Sequence, residues 1–275
     1  MTRRLRRCAV ARSGGWIPDS VDVNVPAAAR VYDYLLGGGH NLDADRAVAA
    51  KVLQALPDGR QVAASNRAFM RRAVLYMLEQ GITQFLDLGS GIPTVGNVHE
   101  VAQQANPEAR VVYVDYDEVA VAHSQLLLQG NSLATVVEAD LCRPEKVLND
   151  PGVLGVLDFD RPIGLLMVAV FHFVGEDRKP REIVAKYRQA LPPGSMMALS
   201  HLTADHKPAE MAVVVEAMKN SRDPMYFRSH AEVVPLFEGF DLVEPGVVGA
   251  PSWHPELGAQ QSSPEGVYVG LGRVR

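Results

Sequence analysis

Three carboxylates, Asp87, Asp115 and Asp140, each follow a short apolar run, and a glycine turn follows the first. That turn reads Asp-Leu-Gly-Ser-Gly-Ile-Pro-Thr over 87–94. Gly89 and Gly91 let the backbone turn sharply and approach a ligand with no Cβ in the way. Pro93 suits a first helical turn, where no amide donor is needed. A strand, a glycine turn and a helix start together form a cradle for a nucleotide-sized ligand. The run Val-Val-Tyr-Val-Asp then ends in Asp115, close to the interval of about 20 residues at which nucleotide folds set a carboxylate on ribose hydroxyls. In an open parallel sheet the strand ends share one edge, so Asp87, Asp115 and Asp140 converge on one crevice.

The chemistry of that crevice narrows the ligand. A dinucleotide needs glycine amides free for pyrophosphate and a third glycine for helix packing. Thr94 stands at that third position, and Asp87 would set negative charge beside the phosphates. A ligand with an ammonium group and no phosphate suits Asp87 better. S-adenosylmethionine, with a cationic amino acid end, a ribose and an adenine, meets this description.

The elements that must position these residues alternate as a parallel α/β sheet requires. Strands are expected at Gln84–Leu88, Arg110–Asp115, Ala134–Glu138, 163–170 and 196–200, with helices between them. The run at 163–170 is continuously apolar, as for a central strand buried on both faces. Further helices are expected at 65–80, 118–129, 176–191 and 208–219, and Ser229 with Glu232 forms a capping box for a helix running to Phe237. Upstream, 26–55 reads as helix, break, helix. Gly37-Gly38-Gly39 stops the first helix, and Asp43 or Asp45 caps the second. Short strands close the chain on either side of a Pro-, Gly- and Ser-rich loop at 245–264.

At 275 residues and 47% hydrophobic content, the chain can bury one large core. A net charge of −5 argues against a nucleic-acid-coating surface. Cys8 and Cys142 provide neither a disulfide framework nor a zinc set, so a reduced, cytoplasmic setting is expected. No apolar run spans a bilayer. Residues 1–20, with Arg3, Arg4, Arg6, Arg7 and Arg12, read as a disordered basic arm, because Arg12 interrupts the apolar stretch a signal peptide needs.

The stretch Phe-Leu-Asp-Leu-Gly-Ser-Gly-Ile-Pro-Thr at 85–94 resembles the first motif of class I S-adenosylmethionine-dependent methyltransferases. More closely it resembles an actinobacterial methyltransferase family long known as a domain of unknown function. The segments Val-Tyr-Asp-Tyr-Leu-Leu-Gly-Gly (31–38), Tyr-Val-Asp (113–115), Glu-Ala-Asp-Leu (138–141), Val-Ala-Val-Phe-His-Phe-Val (168–174) and Leu-Pro-Pro-Gly-Ser (191–195) match it too. The resemblance covers residues 26–275 and implies a Rossmann-like fold. A seven-stranded, mostly parallel sheet flanked by helices would occupy 81–275, with an N-terminal helical cap at 21–80.

The same resemblance implies roles. Gly89, Ser90 and Gly91 would shape the loop around the methionine moiety, with Asp87 near its amino end. Asp115 would accept hydrogen bonds from the ribose, Tyr116 would pack on adenine, Asp140 would accept from the adenine amino group, and Leu141 would offer its amide. Val170 would lie where the fourth strand passes the cofactor. The cap would bring Tyr32, Tyr34, Gly38 and Asn41 over the site. Many class I enzymes have glycine at the place of Pro93, so the loop departs there from the common pattern.

His172, just past the fourth strand, is the expected general base, since a neutral imidazole takes a proton near neutral pH. His201 follows as the second choice, then Tyr32 and His40. The fourth strand lacks Asn-Pro-Pro-Tyr, which disfavours amide or adenine amino methylation of that kind, and no metal-ligand spacing is present. The expected function is methyl transfer to a small-molecule acceptor. Two alternatives are a regulatory protein that binds S-adenosylmethionine without catalysis and a nicotinamide-dependent oxidoreductase.

Overall fold

The computed structural model describes residues 17–18, 20–94, 96–258 and 265–275. The basic arm at 1–20 therefore lies almost wholly outside the described residues. Three helices open the chain: α1 (Ala28–Leu35), α2 (Asp43–Ala55) and α3 (Gly59–Glu79). Alternation follows with β1 (Gln84–Leu88), α4 (Val98–Ala105), β2 (Arg110–Asp115), α5 (Glu118–Leu127) and β3 (Ala134–Glu138). Then come α6 (Pro144–Leu148), α7 (Pro151–Val156), β4 (Gly164–Met167), α8 (Pro180–Ala190), β5 (Met196–Leu202) and α9 (Pro208–Met218). The chain closes with α10 (His230–Val233), β6 (Phe240–Leu242), β7 (Val248–Gly249) and β8 (Val267–Val274).

The strand order is β3-β2-β1-β4-β5-β8-β6, and the two-residue β7 pairs with β8 off this path. Strands β1 to β5 run parallel, and β8 is antiparallel to β5 and β6. The expected seven-stranded sheet is thus present, with β7 added as an eighth strand. Every residue of β1 is buried, as a central strand covered on both faces requires. One core layer packs Phe69, Ala73 and Met77 of α3 with Phe85, Val111 and Leu271. The opposite layer packs Leu86, Val112, Leu165 and Tyr187 of α8.

Two expected elements differ in instructive ways. The apolar run at 163–170 stops being strand at Met167, because Ala169 adopts φ 57° and its amide donates to Ser200 Oγ at 2.8 Å. The chain leaves the ladder there and turns into a short 3-10 helix at Phe171–Phe173. The helix expected over 176–191 begins only at Pro180, after Lys179 at φ 56°. Proline disfavours the helical conformation in the residue before it, so the two segments cannot join. At 229–237 the capping box forms, with Ser229 N donating to Glu232 Oε2 at 2.8 Å.

The helices α1 and α2 are locked by a buried ion pair, Arg30 Nε to Asp45 Oδ2 at 2.7 Å. Asp45 also accepts from Leu42 N and Ala27 N, and so it starts α2 and anchors α1 together. Arg30 reaches further to Asp117 at 3.9 Å, which ties these helices to the loop after β2. α3 also packs Phe69, Ala73 and Met77 into the core layer on the sheet.

Candidate active site

The loops after β1 to β4 and the helices α1, α2, α3 and α9 enclose a cavity of about 530 Å³. It lies where the order reverses between β1 and β4, the point at which open parallel sheets bind ligands. Its size falls within the roughly 300–1,000 Å³ of small-molecule sites.

The floor is the glycine turn. Gly89 has φ 70° and Gly91 φ 66°, both left-handed. A Cβ on Gly89 would stand 2.2 Å from Val170 Cγ2, so the turn and the end of β4 touch in a way only glycine permits. The Gly89 and Ser90 amides donate to Val114 O at 2.8 and 3.2 Å, which straps the turn to β2. Asp115 completes the link: Oδ2 accepts from Gly91 N at 2.7 Å and Oδ1 from Asp117 N at 2.8 Å. Asp117 in turn caps α5 through Val119 N and Ala120 N.

The acids differ electrically. Burial pushes Asp87 up to about 7, with Arg67 holding it down and Asp115 adding to the rise. Burial also pushes Asp115 up to about 6, against the pull of the Asp117 and Gly91 amides. Asp140 goes the other way. Burial works to raise it, but Arg178 at 2.6 Å and the Cys142 amide outweigh that and leave it below the usual carboxylate value. The site therefore pairs two buried carboxyls that titrate near neutrality with one half-exposed carboxylate that stays charged.

Eleven of the residues singled out in the sequence line this cavity: Tyr32, Asp87, Gly89, Ser90, Gly91, Asp115, Tyr116, Asp140, Leu141, Val170 and His172. Tyr116 is 40% exposed, and the Arg222 guanidinium lies 4.6 Å from its ring centroid. His172 is buried, and its Nδ1 finds no protein partner. Burial first, then His201 and Arg228, push its pKa well below the ordinary imidazole value.

Five expected residues do not line the cavity: Tyr34, Gly38, His40, Asn41 and His201. Tyr34 packs under the Arg60 guanidinium, 4.9 Å from its ring centroid. Gly38 and Asn41 build a turn around the buried Asp33 instead. Asn41 Nδ2 donates to Asp33 Oδ2 at 2.8 Å, and a Cβ on Gly38 would stand 2.0 Å from Asp33 Oδ1. Asn41→Ala is expected to cost about 1–2 kcal/mol in chemical denaturation, because Asp33 loses a buried donor, while ligand affinity at the cavity stays unchanged. His201 is sealed off completely. Its Nδ1 bonds Leu202 O at 2.7 Å and its Nε2 accepts from Arg228 Nη1 at 2.8 Å. Both nitrogens are thus engaged, and burial pushes its pKa down to about 4, so in this arrangement no nitrogen of His201 is open to the cavity. It supports Arg228, whose bonds to Phe171 O, Val174 O and Glu176 hold the loop that carries His172.

The cavity also holds residues that sequence reasoning missed. Arg67, on α3, lines it and donates to Asn97 Oδ1 at 3.1 Å, while its Nε is buried without a partner. Asn66 lines it next to Tyr32, and both sit one helix away from the strand ends. Their one available signal was a polar Ser-Asn-Arg group inside an otherwise amphipathic helix. Among the described residues, no group of three or more His, Cys, Asp or Glu side chains could hold a metal ion, and no helix is long and apolar enough to cross a membrane.

A family model described as S-adenosyl methyltransferase matches residues 14–275. The chain is 37% identical to a protein of the DUF574 family from Streptomyces avermitilis, with a TM-score of 0.88 over 92% of this chain and 99% of that one. It is 38% identical to a proposed methyltransferase from Thermobifida fusca, again with a TM-score of 0.88, over 95% of this chain and 100% of the other. No curated protein matches the sequence.

Proposed function

Since the chain belongs to the S-adenosyl methyltransferase family, we propose that this cavity binds S-adenosylmethionine and presents it to a small-molecule acceptor. The cofactor supplies an electrophilic methyl group on a sulfonium. The observation that carries the reading is the meeting of Asp87, Asp115, Asp140 and Arg67 in one cavity above the glycine turn. The donor set fits the ligand at both ends. Asp87 suits the ammonium, and the unpaired Arg67 Nε suits the carboxylate of the amino acid end. Asp115 keeps lone pairs beyond its two amide bonds for ribose hydroxyls. Tyr116 flanks the adenine, Asp140 accepts from the adenine amino group, and Leu141 offers its amide.

We assign to α1 and α2, within the 21–80 segment, the part of a roof that keeps water from the reacting centre. His172 is the proton acceptor we favour, and its environment qualifies that role. A strongly lowered pKa keeps the imidazole neutral, and it also makes it a weaker base than one poised near the working pH. Turnover should therefore show no loss traceable to this group as pH falls from about 8 to 6.5, and His172→Asn turning over as fast as the wild type would overturn the assignment as proton acceptor. The setting we infer is cytoplasmic.

The test is calorimetric titration of the full chain with S-adenosylhomocysteine and with 5′-methylthioadenosine, which lacks the amino acid end. One site per chain is expected. Arg67→Met should weaken S-adenosylhomocysteine by about tenfold, since an exchange of charged hydrogen bonds is worth roughly 1.5 kcal/mol, and should leave methylthioadenosine unchanged. Equal effects on both ligands would move the amino acid end away from Arg67. Absence of binding would end the proposal.

A further inference from the structure

The cavity extends beyond the residues assigned to the cofactor. Its far wall comes mainly from helices: Val31 of α1, Val52 of α2 and Leu56 just past its end, Met70 of α3, and Met211 and Val214 of α9. All six are apolar. The cationic side chains that line the cavity are already engaged. Arg178 pairs with Asp140, Arg222 lies 3.5 Å from Asp117, and Arg67 donates to Asn97 Oδ1. An anionic acceptor on the helical side would lose its water and meet no free cation, which is costly.

One polar group interrupts this wall, and its orientation can be deduced. Tyr32 OH lies 3.2 Å from Ala63 O, which can only accept, so the hydroxyl spends its single proton there. The phenol oxygen must then accept from its other neighbour, Asn66 Nδ2, at 3.0 Å. That relay turns the amide so that Asn66 Oδ1 is the atom left over. Asn66 is 3% exposed, and no protein donor pairs with Oδ1. A buried acceptor without a donor is destabilising, and a ligand's hydroxyl or N–H would relieve it. His172 Nδ1 is a second buried, unpartnered nitrogen on the same cavity.

We propose that the helical half of the cavity binds an uncharged, mainly apolar aromatic molecule through its hydroxyl group, with Asn66 Oδ1 receiving the hydroxyl hydrogen bond. An amine of the same shape would arrive protonated and give up its hydration for a single neutral acceptor at Asn66, a loss that a hydroxyl does not incur. Met70, Met211 and Met218, all lining the cavity, offer the flexible, polarizable sulfur contacts that aromatic rings favour. As the identity of a methyl acceptor, this inference rests on the S-adenosylmethionine reading.

The experiment uses the full chain saturated with S-adenosylhomocysteine, and titrates it with three matched probes: 1-naphthol, 1-methoxynaphthalene and 1-naphthoate. Naphthol should bind, the ether at least tenfold more weakly, and the carboxylate not measurably. Asn66→Leu should bring naphthol to the level of the ether while S-adenosylhomocysteine still binds as before. Val214→Phe, which fills the apolar side without touching a polar group, should remove naphthol binding at unchanged cofactor affinity. This second variant carries the test if Asn66→Leu fails to fold. Equal affinity for naphthol and its ether, binding of the carboxylate at the level of naphthol, or no binding of naphthol to a protein that does bind S-adenosylhomocysteine would each overturn the inference. Loss of S-adenosylhomocysteine binding in the wild-type chain would overturn the cofactor reading beneath it.

Discussion

Asp115→Ala is expected to weaken S-adenosylhomocysteine by about 10- to 100-fold, equivalent to roughly 1.5–3 kcal/mol for hydrogen bonds to a charged acceptor. Two losses combine in this one change. The ribose hydroxyls lose their acceptor, and the Gly91 amide loses the carboxylate that anchors the glycine turn at 2.7 Å. The second loss distinguishes this site from a simple ribose contact, because the turn itself is then free to shift away from Val170. Methylthioadenosine keeps the ribose, so Asp115→Ala should weaken it as strongly as S-adenosylhomocysteine, in contrast to the selective effect at Arg67. Asp115→Asn keeps one acceptor oxygen and should fall between the wild type and alanine. Calorimetry of both ligands against the three proteins decides the matter. An unchanged dissociation constant in the alanine variant would place the ribose elsewhere.

Affinity for S-adenosylhomocysteine should also depend steeply on pH, through Asp87. In the free protein burial raises this carboxyl to about 7, so near neutrality a large fraction is protonated. A ligand ammonium favours the ionised form. Binding below about pH 7 must therefore expel a proton, and affinity falls as pH falls. The loss approaches tenfold per unit, about 1.4 kcal/mol. Between pH 7.5 and 5 this amounts to roughly 50- to 100-fold, given one pKa near 7 and full ionisation in the complex. Asp115, raised to about 6, steepens the slope further below that value, because ribose donors also favour its charged form. Asp87→Asn should bind more weakly at pH 7.5 and lose the part of the slope between pH 6 and 7.5. Calorimetry in buffers of different ionisation heat would count the released protons directly. A flat profile in the wild type would mean that Asp87 does not face the ammonium.

The family fold and the strand-end acids were legible in the amino-acid order because both follow from local rules. A parallel strand buried on two faces is apolar throughout, the chain must turn where it leaves the sheet, and topology puts those turns on one edge. Asp87, Asp115 and Asp140 therefore converge wherever the alternation of strand and helix is read correctly. Gly89 and Gly91 follow from the same logic, since their left-handed turn needs glycine.

Tertiary packing alone decided which other side chains join them. Arg67 and Asn66 lie on a helix whose apolar face is plain in the sequence, but periodicity does not say which polar residues at its margin turn toward a cavity. His201 stands at a strand end as Asp87 does, yet Arg228, 27 positions later, closes it off and converts it from a candidate base into a support. Gly38 ends a segment that matches the family and Asn41 lies three residues beyond it, but Asp33 accepts from both and draws them into its own turn. Strand periodicity is a property of a few neighbouring residues. The partner of a buried polar group can come from anywhere in the chain, because a buried donor or acceptor must be satisfied by whatever the fold brings within about 3 Å.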